Sequence, residues 1–170
     1  MSPDKSRRFQ GGPERLRSPA RLALLEVPRV LGLCLAEIEA RKVLDLGTGS
    51  GVFAEAFAEK GLEVTGVDVN PGMLVLAREA VPQGRFLEAE AESLPFEDGA
   101  FDLVFLGQVL HEATDALAVL REARRVARVR VAVLEWAYRE GEAGPPLGHR
   151  LSAATISGLA AQAGFTAPVL

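Results

Sequence analysis

Residues 43–51, Val-Leu-Asp-Leu-Gly-Thr-Gly-Ser-Gly, constrain this chain more than any other stretch. A short apolar run, interrupted only by Asp45, passes straight into three alternate glycines, Gly47, Gly49 and Gly51. A run of this kind, without apolar–polar alternation, reads as a strand buried on both faces, the usual state of strands in a parallel sheet. Glycines let the backbone turn tightly and approach a ligand with no Cβ in the way. A helix is predicted to follow from Val52, so its first N–H groups face whatever occupies the loop. This unit is suited to holding a polar ligand against main chain.

The remaining pattern multiplies that unit. Helices are predicted at 52–60 (ended by Gly61), 72–80 (after Pro71), 115–127 and 152–163 (capped by Ser152, ended by Gly164). Strands are predicted at 63–69, 85–89, 101–106 and 129–136. Upstream, Leu24, Val27, Leu31, Leu35 and Ile38 fall at helical spacing, with Pro28 placed to split or kink the helix. Strands and helices that alternate with short connections imply a doubly wound α/β fold with a mostly parallel sheet. We read one domain: an irregular arm at 1–19, helices at 20–40, a core at 41–140, then a loop, a last helix and one short strand at 141–170.

Composition narrows the class. The 170 residues carry a net charge of −4 and are 48% hydrophobic, which suits a folded domain rather than a disordered chain or a broad nucleic-acid surface. A lone cysteine, Cys34, offers no internal disulfide and sits in an apolar helix, where a buried small hydrophobe is the expectation. The longest apolar stretch, 22–35, is broken by Glu26, Pro28 and Arg29 and is too short to span a bilayer. Residues 1–10 lack the apolar core of a signal peptide, so a cytoplasmic location is expected.

Ligands of such sheets bind beyond the carboxyl ends of the strands. Asp68 stands at that end of the second strand, 17 residues after Gly51, where a carboxylate can accept hydrogen bonds from both hydroxyls of a ribose. A nucleoside cofactor follows. Residues 49–54 also satisfy a dinucleotide fingerprint, Gly-x-Gly-x-x-Ala, which keeps an NAD(P)-dependent oxidoreductase as an alternative. That match begins three residues beyond Leu46, and the chain has one tyrosine, Tyr138, with no Tyr–Lys pair for hydride chemistry.

Residues 43–51 resemble the first motif of class I S-adenosylmethionine-dependent methyltransferases. Residues 64–74 (Val-Thr-Gly-Val-Asp-Val-Asn-Pro-Gly-Met-Leu) resemble their second motif. Residues 90–104 resemble the adenine loop and fourth strand of the small-molecule branch, which includes ubiquinone and menaquinone biosynthesis methyltransferases. The resemblance spans roughly residues 40–140 and implies a Rossmann-like methyltransferase fold with a shortened carboxyl-terminal end. It implies S-adenosylmethionine as cofactor and S-adenosylhomocysteine as product. By position, Asp45 would lie near the methionine amino end, and Gly47, Thr48, Gly49 and Gly51 would cradle the cofactor. Asp68 would bind the ribose, Val69 and Met73 would pack on the adenine, and Glu90 and Ala91 would meet its edge. Leu106 and Gly107 would line the far wall. Glu90 departs from the family, which more often has Asp there.

Methyl transfer from a sulfonium needs alignment and exclusion of water more than an array of catalytic groups. The candidate base is His111, followed by Glu112, after the fourth strand. His149 and Arg150 lie in the loop before the last helix, and Glu135 and Tyr138 at the end of strand five; such positions often border the acceptor pocket in these folds, but a solvated loop is the expected reading. The arginines of the arm (Arg7, Arg8, Arg15, Arg17) are candidates for a lid that binds an anionic acceptor. Arg121, Arg125 and Arg128 share a helical face and read as a solvated helix side. No metal site is indicated. An Asn/Asp-Pro-Pro-aromatic run, typical of enzymes that methylate DNA amines, is absent after strand four, which argues against DNA as the target; the resemblance implies a small-molecule acceptor. Residues 166–170 leave room for one short strand, so an open sheet edge is expected, covered by a second copy or by the arm. A non-catalytic S-adenosylmethionine-binding module remains the other alternative.

Overall fold

The structure, a computed structural model, describes residues 12–141 and 143–166. Among the described residues, five parallel strands form one sheet: β1 (Lys42–Leu46), β2 (Glu63–Asp68), β3 (Arg85–Glu88), β4 (Phe101–Gly107) and β5 (Ala127–Leu134). Their order is β3-β2-β1-β4-β5. The chain winds outward from β1 in one direction to β3, then crosses back to β4. The strand order therefore reverses between β1 and β4, where such sheets open a crevice at their carboxyl ends. Register places Val43 beside Val64 on one side and Leu103 on the other.

Among the described residues, six α-helices accompany the sheet: α1 (Pro19–Leu25), α2 (Val27–Leu35), α3 (Val52–Glu59), α4 (Pro71–Ala80), α5 (Ala116–Val126) and α6 (Ala153–Gln162). The expected split of the first helical region occurs at Glu26, which takes a left-handed conformation (φ 44°), with Pro28 in the first turn of α2. Asp115 and Ser152 cap α5 and α6 by accepting the N–H groups of Ala118 and Thr155. The fifth strand starts and stops two residues earlier than expected. Its first residue, Ala127, follows α5 directly and pairs with Phe101.

Two cores follow from strand alternation. Val43, Leu103 and Phe105 point to one face, where Phe105 meets Phe53 and Phe57 of α3 at ring separations of 4.6 and 5.5 Å. Leu44, Leu46, Val104 and Leu106 point to the other, against Val119, Leu120 and Ala123 of α5. Asp45 shares the parity of Val43, so it emerges on the α3 side at that helix's amino end. Cys34 is buried, and burial pushes its thiol up to about 11, which makes it part of the core rather than a nucleophile.

The arm is only partly irregular. Residues 1–11 lie outside the described residues, but Pro13–Arg17 forms a short 3-10 helix. Arg17 fixes it, donating Nε and Nη2 to the Ser50 carbonyl (3.1 and 2.9 Å) and pairing with Glu55 at 2.8 Å. The face of Arg121, Arg125 and Arg128 is also more than a solvated side, because Arg125 is bound in place. Arg125 binds Glu122, Asp98 and the carbonyls of Phe96 and Leu94. Arg130, on β5, holds the carbonyls of Cys34 and Ala36 at the end of α2. The expected terminal strand falls largely on 167–170, outside the described residues. Among those described, no strand pairs with the outer edge of β5.

Gly51 is required by packing. Its φ is +79°, and an added Cβ would stand 2.9 Å from the Ala77 Cα of α4. Backbone cannot yield as a flexible side chain can. Gly51→Ala is expected to cost about 1–3 kcal/mol, through left-handed strain and overpacking between α3 and α4. Urea unfolding of the two proteins checks this, the midpoint falling in the variant.

Candidate active site

Beyond the carboxyl ends of β1 and β4 lies a cleft of about 1140 Å³. That is somewhat above the ~300–1,000 Å³ usual for small-molecule sites, with space for a cofactor and a second small ligand. The glycine loop forms its floor. The N–H groups of Gly47 and Thr48 bind the Val67 carbonyl (2.8 and 2.9 Å), tying the loop to β2. Gly47 has φ +72°, and its Cβ would collide with Val109 at 2.2 Å. Gly49 is different: a Cβ there would meet only Leu16, at 3.5 Å, so the space beside it is open on the cleft side.

Asp68 stands over this loop. One carboxylate oxygen accepts the Gly49 N–H and the other the Asn70 N–H, each at 2.9 Å. These bonds fix the carboxylate at the rim of the cleft. Asp45 lies deeper, 2% exposed, and accepts the Thr48 hydroxyl at 2.8 Å. Desolvation raises its carboxyl to about 7. The Thr48 bond opposes that rise, the nearby Asp68 charge adds to it, and the Ala54 N–H in the first turn of α3 opposes it. A buried acid poised in this way suits a ligand that brings a cation. The Ser50 hydroxyl is buried and has no partner among the described residues. An orphaned hydroxyl, an open glycine backbone and two carboxylates fit the amino-acid and ribose ends of S-adenosylmethionine.

Most residues expected at the site surround one cavity. Asp45, Gly47, Thr48 and Gly49 line it from β1, and Asp68, Val69 and Met73 from β2 and α4. Glu90 and Ala91 follow β3, while Gly107 and His111 follow β4. Two do not line it. Leu106 is fully buried in the core against α5, because its parity on β4 turns it away from the cleft. Gly51 serves the α3–α4 packing described above.

The opposite end has a wall that the sequence reading did not assemble. Arg21 of α1 reaches across to hydrogen-bond the Gln108 side chain, with its guanidinium 4.8 Å above the Trp136 ring. Gln108 has φ +60° and is held there by its N–H to the Leu134 carbonyl at 2.7 Å. Leu16, Ala20 and Leu24 complete an apolar mouth, and Arg15 also lines it. His149 lines the cleft instead of standing in a solvated loop, whereas Tyr138 is 57% exposed and does not line it. Arg150 is a structural clamp. Its guanidinium donates to the carbonyls of Pro145, Ala137, Arg139 and Ala143, gathering the loop after β5 around itself. Glu135 turns inward and bonds His111, with Nδ1 and Oε2 2.7 Å apart.

A parallel sheet with a glycine loop and a carboxylate at its switch point defines a Rossmann-like enzyme class that binds a nucleoside cofactor. A family model described as a methyltransferase domain matches residues 44–133, more than half of the chain. The chain belongs to this methyltransferase domain family. A demethylmenaquinone methyltransferase of Thermotoga maritima is 40% identical over 100 residues, covering 58% of this chain and 43% of the relative. A malonyl-[acyl-carrier protein] O-methyltransferase of Serratia marcescens is 35% identical over 100 residues, covering 59% and 39%. This chain thus spans less than half the length of these curated relatives. The crystal structure of an S-adenosylmethionine-dependent methyltransferase from Aquifex aeolicus superposes with a TM-score of 0.80 at 27% identity. It covers 91% of this chain and 89% of that one, and it carries the fold expected from the sequence. Among the described residues, no helix is long and apolar enough to cross a membrane, and no acid, His or Cys cluster could hold a metal ion.

Proposed function

We propose that this chain transfers a methyl group from S-adenosylmethionine to a small-molecule acceptor in the cytoplasm. The observation that carries this reading is one cleft with two ends: a glycine cradle under Asp68, and an open end bounded by Gln108, His111 and Trp136. When bound, the cofactor supplies a methyl group on a sulfonium, already activated for in-line displacement. The chain's own work is alignment and exclusion of water. Asp45 faces the ammonium and Gly47–Gly49 present backbone to the methionine moiety. Asp68 holds the ribose, Val69 and Met73 pack on the adenine, and Glu90 and Ala91 meet its edge. Leu16 and Arg21 cover the site from the amino-terminal segment, and His111 is the catalytic residue that accepts a proton. The relatives named above carry the names of different acceptors, demethylmenaquinone and malonyl-[acyl-carrier protein], so the acceptor is not transferred from them.

Calorimetric titration tests this directly. S-adenosylhomocysteine should bind and NAD should not. Asp68→Ala should weaken S-adenosylhomocysteine binding by about 1–3 kcal/mol through lost charged hydrogen bonds. An unchanged affinity removes Asp68 from the site, and tighter binding of NAD favours an oxidoreductase. Release of S-adenosylhomocysteine on incubation with S-adenosylmethionine and an acceptor separates an enzyme from a binding module. We also infer that a second copy covers the β5 edge, where Val129 is 53% exposed. Sedimentation that gives a monomer would count against this.

A further inference from the structure

We propose that Glu135 is a positioning residue that holds the His111 ring with its proton on Nδ1, so that Nε2 keeps a lone pair for the acceptor's proton. This rests on the methyltransferase reading above and deepens it. The residues are 24 positions apart in sequence and meet because β4 and β5 are parallel neighbours. Gly107 pairs with Leu134, so the turn after one strand lies beside the residue after the other. His111 sits in the short 3-10 turn Leu110–Glu112.

The geometry specifies the tautomer. Glu135 Oε2 lies 2.7 Å from Nδ1, while Oε1 accepts the His111 backbone N–H at 3.1 Å. Oε2 also accepts the Trp136 N–H at 3.2 Å. The carboxylate is therefore oriented by main chain on two sides, and both side chains are only 5% exposed. A carboxylate accepts and does not donate, so Nδ1 must supply the hydrogen; a lone pair there would face a buried anion. In a neutral ring the other nitrogen is then unprotonated. Nε2 lies 3.8 Å from Glu112 Oε1, beyond hydrogen-bonding distance, and both residues line the cleft. Glu112 in turn faces the charge of Arg21 across the cleft.

This arrangement suits an acceptor that arrives with a proton on its attacking oxygen or nitrogen. That proton passes to Nε2, and the attacking atom's electron pair forms the bond to the methyl carbon. The carbon–sulfur bond breaks with its pair left on sulfur, which becomes a neutral thioether. The imidazolium so formed is balanced by Glu135 and returns its proton to water, with no further reactant.

The chain has two histidines, so the ring signals of 15N-labelled protein are separated by comparison with His149→Gln. Long-range 1H–15N correlation at about pH 8.5, well above the ordinary imidazole range, reads the tautomer. We expect the Nδ1–H form to dominate at His111, and Glu135→Gln to reduce that preference about tenfold, since a neutral amide can either donate or accept. Predominance of the Nε2–H form in the wild type, or an unchanged ratio in Glu135→Gln, overturns the proposal. Should that variant fail to fold, the wild-type spectrum alone decides. S-adenosylhomocysteine affinity, measured on the same samples, should stay within about twofold of wild type, as expected for a residue outside the cofactor cradle. Failure of the wild type to bind S-adenosylhomocysteine overturns the methyltransferase reading instead, and leaves the tautomer result standing or falling by itself.

Discussion

Asp45→Asn is expected to make the ligand-free protein more stable near pH 8 and to weaken S-adenosylhomocysteine binding by roughly 30-fold or more. Both effects have one cause. Asp45 is almost fully buried, and loss of solvation raises its carboxyl to about 7, with Asp68 adding to the rise against the opposing bonds from Thr48 and Ala54. Between the ordinary carboxylate range and about pH 7, the folded protein therefore holds a proton that the unfolded chain has released. Stability falls as pH rises through that window and levels off above it. Asn removes the charge and still accepts the Thr48 hydroxyl. The gain should be of order 1–3 kcal/mol at pH 8 and close to nothing near pH 4. Urea unfolding at the two pH values checks it; an equal gain at both would show that the charge is not the cause.

The cost falls on the ligand. An ammonium beside Asp45 favours the ionised carboxylate, so binding below pH 7 must expel the proton that burial retains. Wild-type affinity should rise with pH towards a plateau above about 7, and Asp45→Asn should lack that rise. Calorimetry at pH 6 and 8, in buffers of different ionisation enthalpy, reads the proton release directly. A site that spends folding stability to prepare for a ligand is a common feature of function. The proposed role accounts for a buried carboxylate one residue from the carboxyl end of β1.

That strand shows what sequence reading can and cannot reach. The alternation of elements, the glycine loop and the carboxylate closing β2 were legible, because each depends on neighbours in sequence: turn chemistry, strand ends and helix starts. Leu106 was misplaced for a physical reason. All but the last residue of β4 are buried, so no apolar–polar alternation reveals which side meets the cleft. Gly51 looked like its two partners, yet its need for a missing Cβ comes from Ala77, 26 residues on. Glu135 and His111 gave no joint signal, since only the register of β4 against β5 brings them together. Arg17, Arg21 and Arg150 were visible as charges. Their roles as a latch, a wall and a loop clamp depend on carbonyls and rings contributed by distant segments. Local grammar was readable, and pairing across the fold was not.

Asp102 belongs to the unreadable part, and its removal should be the most damaging of the substitutions to stability. It is 2% exposed at the start of β4. One oxygen accepts the N–H groups of both Arg41 and Lys42, at 2.8 and 3.0 Å, and the other accepts from Arg128. Burial by itself would raise its carboxyl, but the two backbone donors and the Arg128 guanidinium outweigh this and hold it below the usual range. Asp102→Ala leaves two donors unsatisfied at the entry to β1, with an expected loss of about 2–4 kcal/mol. Asp102→Asn keeps one acceptor oxygen and should lose less, about 1–2 kcal/mol. Because the folded-state value is depressed, the charge's contribution is present above pH 4 and is lost as pH falls, so the gap between wild type and Asp102→Asn should narrow in acid. Urea midpoints at pH 7 and 3.5 measure that gap, and a constant gap would refute the charge argument. The consequence reaches the site, because β1 carries Asp45 and the glycine loop at its other end. A looser entry to β1 should lower S-adenosylhomocysteine affinity in Asp102→Asn even under conditions where the protein remains folded, although Asp102 does not line the cleft.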